Sequence, residues 1–375
     1  EMLALTDAGN ANRLVKLYGE DVRYCYGRKS WYVWDGARWV LDINHRIEAL
    51  AEKTIRSIVD EASGADTKLA EKLVSWAGKS LARQKLTAMV EQAKHKVAIE
   101  HEEFDSDPWL LNCENGTLNL QTGKLQAHCR EDLITKIVPV SFDPEAECPV
   151  FMKFLGEITT GDEELAAFLQ RAIGYSLTGV TNEQCLFIVQ GPGANGKSTL
   201  LNAFGRLLGD YSAQTPTDTL LMKKGGGGIP NDLARLAGMR FVQATEVGVG
   251  QKLHEPLIKQ ITGGDVLPAR FLHREFFEFT PVFKLWMVTN HPPKIEGTDD
   301  GIWRRVHVVP LDAVIPEQDY DHELPKKLDE EQAGILAWAV RGCLAWQDEG
   351  LKLPEKVRAA RQEYREDMDE VRQFL

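Results

Sequence analysis

Apolar and polar positions change their spacing several times along the chain, and the changes mark four zones. In residues 1–110 the apolar positions first recur with helical period over 11–18. The run Trp31-Tyr-Val-Trp-Asp-Gly-Ala-Arg-Trp39 then alternates like a short strand turning at Asp35-Gly36. Amphipathic helices are predicted over Arg46–Ala62 and over 66–99. Residues 111–183 read as a collar or linker domain. There Gly116-Thr-Leu-Asn-Leu-Gln-Thr-Gly-Lys-Leu125 alternates with period two and turns at Thr122-Gly123, and a helical pattern follows Pro149 through Phe168, Leu169 and Ile173.

Residues 184–311 alternate strand and helix. Cys185-Leu-Phe-Ile-Val189 is wholly apolar and ends at a glycine-rich stretch, with a helix predicted over 198–208. Phe241-Val-Gln-Ala-Thr245 and Lys284-Leu-Trp-Met-Val-Thr289 read as further buried strands, the order expected of a sheet wrapped by helices. Residues 312–375 are helical and charged, and the last helix, over 355–375, carries no stop signal. With Glu1 in place of an initiating Met, this pattern is expected of a piece excised from a longer chain.

Composition narrows the picture. At 375 residues the chain has room for two or three domains. Its six cysteines form no CxxC pair, which argues against a zinc ribbon and a disulfide framework and suits a reducing cytoplasm. No apolar run reaches membrane-spanning length, so no membrane is expected as a partner. The net charge of −12 repels a polyanion, so any nucleic-acid contact has to come from a local basic site. Gly225-Gly-Gly-Gly228 reads as a loop.

Gly191-Pro192-Gly193-Ala194-Asn195-Gly196-Lys197-Ser198-Thr199 carries the chemistry. It meets the pattern GxxxxGK[ST], in which glycines let backbone N–H groups turn onto phosphate oxygens. Lys197 would reach the β- and γ-phosphates of ATP, and the Ser198 hydroxyl would sit on Mg²⁺. Such a loop needs a carboxylate at the end of a neighbouring strand, and Glu246 follows Thr245 there. Asn290 ends another apolar strand and could orient the attacking water or sense the γ-phosphate. Arg304 and Arg305 follow it, as an arginine offered to a neighbouring subunit's site would. Between them, strands over 266–272 and Phe276–Phe279 would form a hairpin with His273 and Arg274 at its turn. In a ring that hairpin would line the channel with donors for a phosphodiester backbone, which reconciles DNA binding with an acidic particle. No NKxD occurs, so a GTPase is set aside.

As an ordered set, GPGANGKST, RFVQATE, LIKQITGGDVLPARFLHREFFEF, KLWMVTNHPP and GIWRRVHVVPL resemble the superfamily 3 helicases, in particular the helicase part of phage, plasmid and poxvirus-type primase-helicases. FDSDPWLLNCENGTLNL, LQRAIGYSLTG and LTDAGNANRLVKLYG resemble the segments that precede the ATPase in that family. The resemblance implies an α/β P-loop NTPase core of AAA+ type, with a mostly helical N-terminal region and a helical C-terminal extension. It further implies a hexameric ring that hydrolyses ATP with Mg²⁺ between subunits and moves 3′→5′ on single-stranded or forked DNA, in the bacterial host cytoplasm if phage or plasmid encoded, with a primase domain or protein as a possible partner. By motif, Lys197 and Ser198 bind phosphate and metal, Glu246 serves metal and water, Asn290 is the sensor and Arg305 or Arg304 is the finger. His273 and Arg274 contact DNA, with Lys259 as a further cation. One departure is Thr245: many relatives have two adjacent acids here, so a single carboxylate has to do both tasks. Asp105-Ser-Asp107 reads as a turn, not a primase metal site. The competing reading is an AAA+-like ATPase that remodels a protein partner or acts in defence.

Overall fold

A computed structural model describes residues 4–222, 231–245, 248, 250–270, 276–297 and 299–373. The chain divides into two compact units: Glu1–Ser106 with His128–Lys136, and Asp107–Ala127 with Ile137–Leu375.

The first unit places helices against a small sheet. Its elements are α1 (Asp7–Tyr18), β1 (Val22–Cys25), β2 (Ser30–Trp34), β3 (Trp39–Leu41), α2 (Arg46–Ala62), α3 (Thr67–Ser80), α4 (Arg83–Ala93) and β4 (Ala98–Ile99), with sheet order β3-β2-β1-β4. Thr6 caps α1 by accepting a hydrogen bond from the Gly9 amide at 3.0 Å. Leu14, Val33, Ile55, Ile58 and Met89 are among the residues that build the core. Trp39 is fully buried beside Phe104, and its indole donates to the Arg130 carbonyl at 2.9 Å, so this tryptophan belongs to the core. Asp105 accepts from Thr135 and pairs with Lys136 at 2.8 Å, engaged within the unit as a turn residue would be.

The single helix expected over 66–99 is instead α3, α4 and a strand. A helix that long would run about 50 Å, well past this small core. The turn at Leu81-Ala82 folds it back, and α1 pins the joint: Asn10 donates to Ser80 Oγ at 3.1 Å and accepts from Trp76 Nε1 at 2.9 Å.

The second unit begins with the antiparallel sheet β5 (Leu110–Cys113), β6 (Gly116–Asn119) and β7 (Lys124–Gln126), whose β6–β7 turn lies at the expected Thr122-Gly123. The helical pattern after Pro149 is two helices, α5 (Pro149–Ile158) and α6 (Glu163–Ser176), broken where Thr160 and Gly161 take φ of 55° and 74°. The main layer contains β8 (Leu186–Gln190), α7 (Lys197–Leu208), β9 (Ser212–Pro216), α8 (Asn231–Ala234), β10 (Phe241–Thr245), α9 (Glu255–Gly263), β11 (Leu267–Arg270), β12 (Phe276–Phe279), β13 (Lys284–Thr289), α10 (Asp300–Trp303) and β14 (Val306–Pro310). α11 (Leu324–Glu330), α12 (Gln332–Glu349) and α13 (Glu355–Gln373) follow.

Five strands form one parallel sheet, in the order β14-β8-β13-β10-β9. Along β8, Leu186 and Ile188 enter one core while Phe187 and Val189 enter the other. Both faces are covered, which is why the inner strands read as unbroken apolar runs. The sheet's amino end is held by two buried cations. Lys284 Nζ donates to the carbonyls of Thr178 and, at 3.1 Å, Val180, while Arg240 donates to those of Leu177 at 2.9 Å and Leu110 at 2.7 Å. β11 and β12 pair antiparallel as a separate hairpin, with Arg270 opposite Phe276. Of the residues singled out in the sequence, Glu246, His273, Arg274 and the glycine run 225–228 lie outside the described residues.

Candidate functional site

The sheet register places the glycine-rich loop. Gln190, the last residue of β8, lies opposite Thr289 of β13 and Pro310 of β14, so the loop leaves at the carboxyl end of the sheet between the two strands. Open parallel sheets place ligands at that end. The loop is shaped by close approach. A Cβ on Gly191 would lie 2.0 Å from the Leu311 carbonyl oxygen, and one on Gly196 would lie 2.6 Å from Ile158 Cγ2. Gly196 also takes φ of 86°, which favours glycine, and Ala194 holds φ of 57°. α7 starts at Lys197, so its unpaired amides and dipole face the loop.

Within the loop the Lys197 ammonium donates to Gly191 O at 2.9 Å, Pro192 O at 2.6 Å and Asn195 Oδ1 at 2.7 Å. Burial holds its pKa below the usual lysine value. Asn195 is 1% exposed, and its amide nitrogen donates to the Leu311 carbonyl. It therefore braces the lysine against the chain leaving β14, a role the sequence pattern did not reveal because the position is unspecified in GxxxxGK[ST].

A cleft of about 620 Å³ is lined by residues 193–199, Asn202, Gln214, Thr289 and Asn290. It brings together the loop and Asn290. The Asn290 side chain is exposed, and Thr289 fixes the turn beyond it by donating its hydroxyl to the His291 carbonyl at 2.6 Å and accepting from the His291 amide at 3.0 Å. Because β13 lies between β8 and β10, Asn290 stands between the loop and the carboxyl end of β10, which stops at Thr245. Ser198 lines the cleft and is exposed to it. A hydroxyl such as that of Ser198 is a hard oxygen donor of the kind Mg²⁺ takes. A smaller cleft of about 300 Å³ adjoins the loop at Ala194, Gly196 and Thr199, walled by Val150, Phe154, Ile315 and Tyr320. Lys153, Glu157 and Asp321 also line it, so apolar and charged side chains face it together. No sequence signal marked the apolar ones, since single apolar positions in a helix and a connecting segment look like core.

The arginines lie at the other end of the sheet. Arg304 and Arg305 precede β14, whose Val306 is opposite Leu186 and whose Pro310 is opposite Gln190, about 13 Å further along the strand. Arg305 is 8% exposed and donates to Thr262 Oγ1 at 3.1 Å and Gly301 O at 2.6 Å. Its pKa is lowered by burial and then by Arg304, with Asp265 and Asp299 opposing. Arg304 is exposed and reaches Gln184 Oε1 at 3.2 Å. Lys259 belongs to this cluster, paired with Asp299 at 3.0 Å, and its hydrogen bond holds that carboxyl below the usual range.

The family described as "D5 N terminal like" matches residues 11–160, and a family of unknown function (DUF5906) matches residues 189–305. A protein named as a helicase from Acanthamoeba polyphaga mimivirus is 26% identical over 295 residues, covering 72% of this chain and 30% of that protein. One named as a helicase from frog virus 3 is 31% identical, covering 57% and 24%. One named as a primase from African swine fever virus is 27% identical, covering 54% and 22%. The chain thus spans less than a third of these relatives' length. Among solved structures, the C-terminal region of NrS-1 shares the fold, with a TM-score of 0.55 at 13% identity over 93% of this chain and 71% of that one. Among the described residues no helix is long and apolar enough to cross a membrane.

Proposed function

For a chain that fits the superfamily 3 helicases of primase-helicases, we propose ATP-driven translocation along DNA by a hexameric ring, 3′→5′, with the residues before β14 completing the site of the next copy. The supporting observation is the division of the machinery between two ends of one sheet. The cleft at the carboxyl end is lined by the loop and Asn290 and, among the described residues, by no arginine, while an exposed arginine sits at the amino end of β14.

ATP enters with its triphosphate against the loop and its adenine between Phe154 and Tyr320. Lys197 exchanges its three loop acceptors for phosphate oxygens, and Asn195 keeps the loop against Leu311 while it does so. Ser198 and Glu246 would hold Mg²⁺, which neutralises phosphate charge when bound. Asn290 orients the attacking water. Between Arg304 and Arg305 the structure favours Arg304 as the finger, because the Arg305 guanidinium is buried and committed to Thr262 and Gly301. Arg305 then buttresses the turn that presents its neighbour. His273 and Arg274, which lie between β11 and β12 in the sequence, would supply the contacts to the DNA backbone. Replication of a phage, plasmid or large viral genome is the proposed setting, within a longer primase-helicase.

The test is hydrolysis with and without single-stranded DNA. Stimulation by DNA that is lost in Lys197→Ala, with unwinding but not hydrolysis lost in the His273→Ala, Arg274→Ala double variant, is the expected outcome. Hydrolysis indifferent to DNA, with affinity for DNA that does not fall steeply with salt, would overturn it in favour of an ATPase acting on protein.

A further inference from the structure

α13 lies beyond every motif used so far, and its contacts lead to both halves of the proposed machinery. It packs along β14 and forms one wall of a cleft of about 800 Å³ whose other walls include Gly191, Gly193 and Asn290. Tyr364, 5% exposed, donates its hydroxyl to the Pro293 carbonyl, three residues beyond Asn290. The same ring meets Trp303 edge-on at 5.3 Å, and Trp303 immediately precedes Arg304. Arg365 pairs with Asp300 at the start of α10 at 3.0 Å and lies 6.0 Å from the Trp303 ring centroid. Trp303 in turn donates to the Gly297 carbonyl at 2.9 Å, closing the connection back toward the turn after β13.

We infer that α13 is a strap that sets the turn after Asn290 and the turn bearing Arg304 relative to each other, with Tyr364 as the positioning residue. This rests on the proposed function for its catalytic consequence, but the physical coupling stands apart from it. One tyrosine touches the backbone that follows the sensor asparagine and the tryptophan that anchors the arginine. A rearrangement at one turn is therefore transmitted to the other through packed side chains. Tyr364 and Arg365 make no hydrogen bond to the loop lysine and lie outside the Phe154–Tyr320 cleft, and Tyr364→Phe keeps the ring that lines the cleft of about 800 Å³ beside Gly191.

The experiment uses the whole chain. In Tyr364→Phe, amide exchange rises at His291 and Lys294, the two residues of the turn 291–294 that carry an amide hydrogen, and kcat falls about fivefold while the Kd for ATP stays within about twofold, the effect of one lost positioning hydrogen bond. Arg365→Asp lowers kcat in the same way, and adding Asp300→Arg restores it. Unchanged exchange and kcat in Tyr364→Phe, or parallel losses of kcat, affinity and Tm with no rescue by the charge swap, would overturn the strap. Lys197→Ala run alongside separates the two failures. A wild-type chain without hydrolysis removes the functional reading, and the exchange measurement still decides the strap.

Discussion

At the amino end of β14 two adjacent arginines meet different fates: Arg305 reaches inward to Thr262 and Gly301, and Arg304 stays at the surface beside Gln184. Arg304→Ala is expected to lower kcat at least a hundredfold, within the loss known for arginine fingers, while thermal unfolding stays near wild type. Arg305→Ala is expected to lower Tm by several degrees, because Thr262 and Gly301 lose a charged donor. Equal loss of activity without loss of stability in both would contradict the assignment. Sequence shows only Arg-Arg, since burial is decided by α9 folding back against the pair. The loop lysine, by contrast, was legible because glycine spacing is itself the chemistry. His307 gives a pH test. Burial lowers its pKa from 6.5 to about 4, so the unfolded chain binds the proton more readily. Stability from this group is intact above pH 6.5 and falls as pH drops toward 4, by about 3 kcal/mol in all. Denaturant melts of His307→Phe across that range should show a flatter decline than wild type.

At the scale of elements, the inner strands β8, β10 and β13 were readable because each is a largely apolar run between two neighbours, whereas the edge strands β14 and β9 were not, β9 alternating only weakly with exposed Gln214. The break inside 66–99 was hidden because no proline or glycine marks Leu81-Ala82, and the cause is a contact from Asn10, far away in sequence. α6 and α12 cross at glycines that carry no such signal. A Cβ on Gly174 would lie 2.1 Å from the Cys343 amide nitrogen, and one on Gly342 would lie 2.1 Å from the Gln170 carbonyl oxygen. Neither backbone can yield locally, so Gly342→Ala is expected to cost about 1–3 kcal/mol in denaturant unfolding. A neutral result would show that the two helices can separate freely. The buried cations make a second case: Lys284→Met leaves the Thr178 and Val180 carbonyls without their donor and is expected to lower Tm.

For the whole molecule, the acidic balance of −12 means that the proposed DNA contact has to come from a local group of cations. The loop and Arg304 stand at opposite ends of one parallel sheet, and the proposal that Arg304 serves a nucleotide site therefore places that site on a second copy. Mixing chains tests that placement directly. Lys197→Ala and Arg304→Ala chains, each inactive alone, should recover about a quarter of wild-type hydrolysis when combined in equal amounts, because a random ring pairs an intact loop with an intact arginine at one interface in four. A mixture no more active than its separate components, or full activity from isolated monomers, would contradict the account.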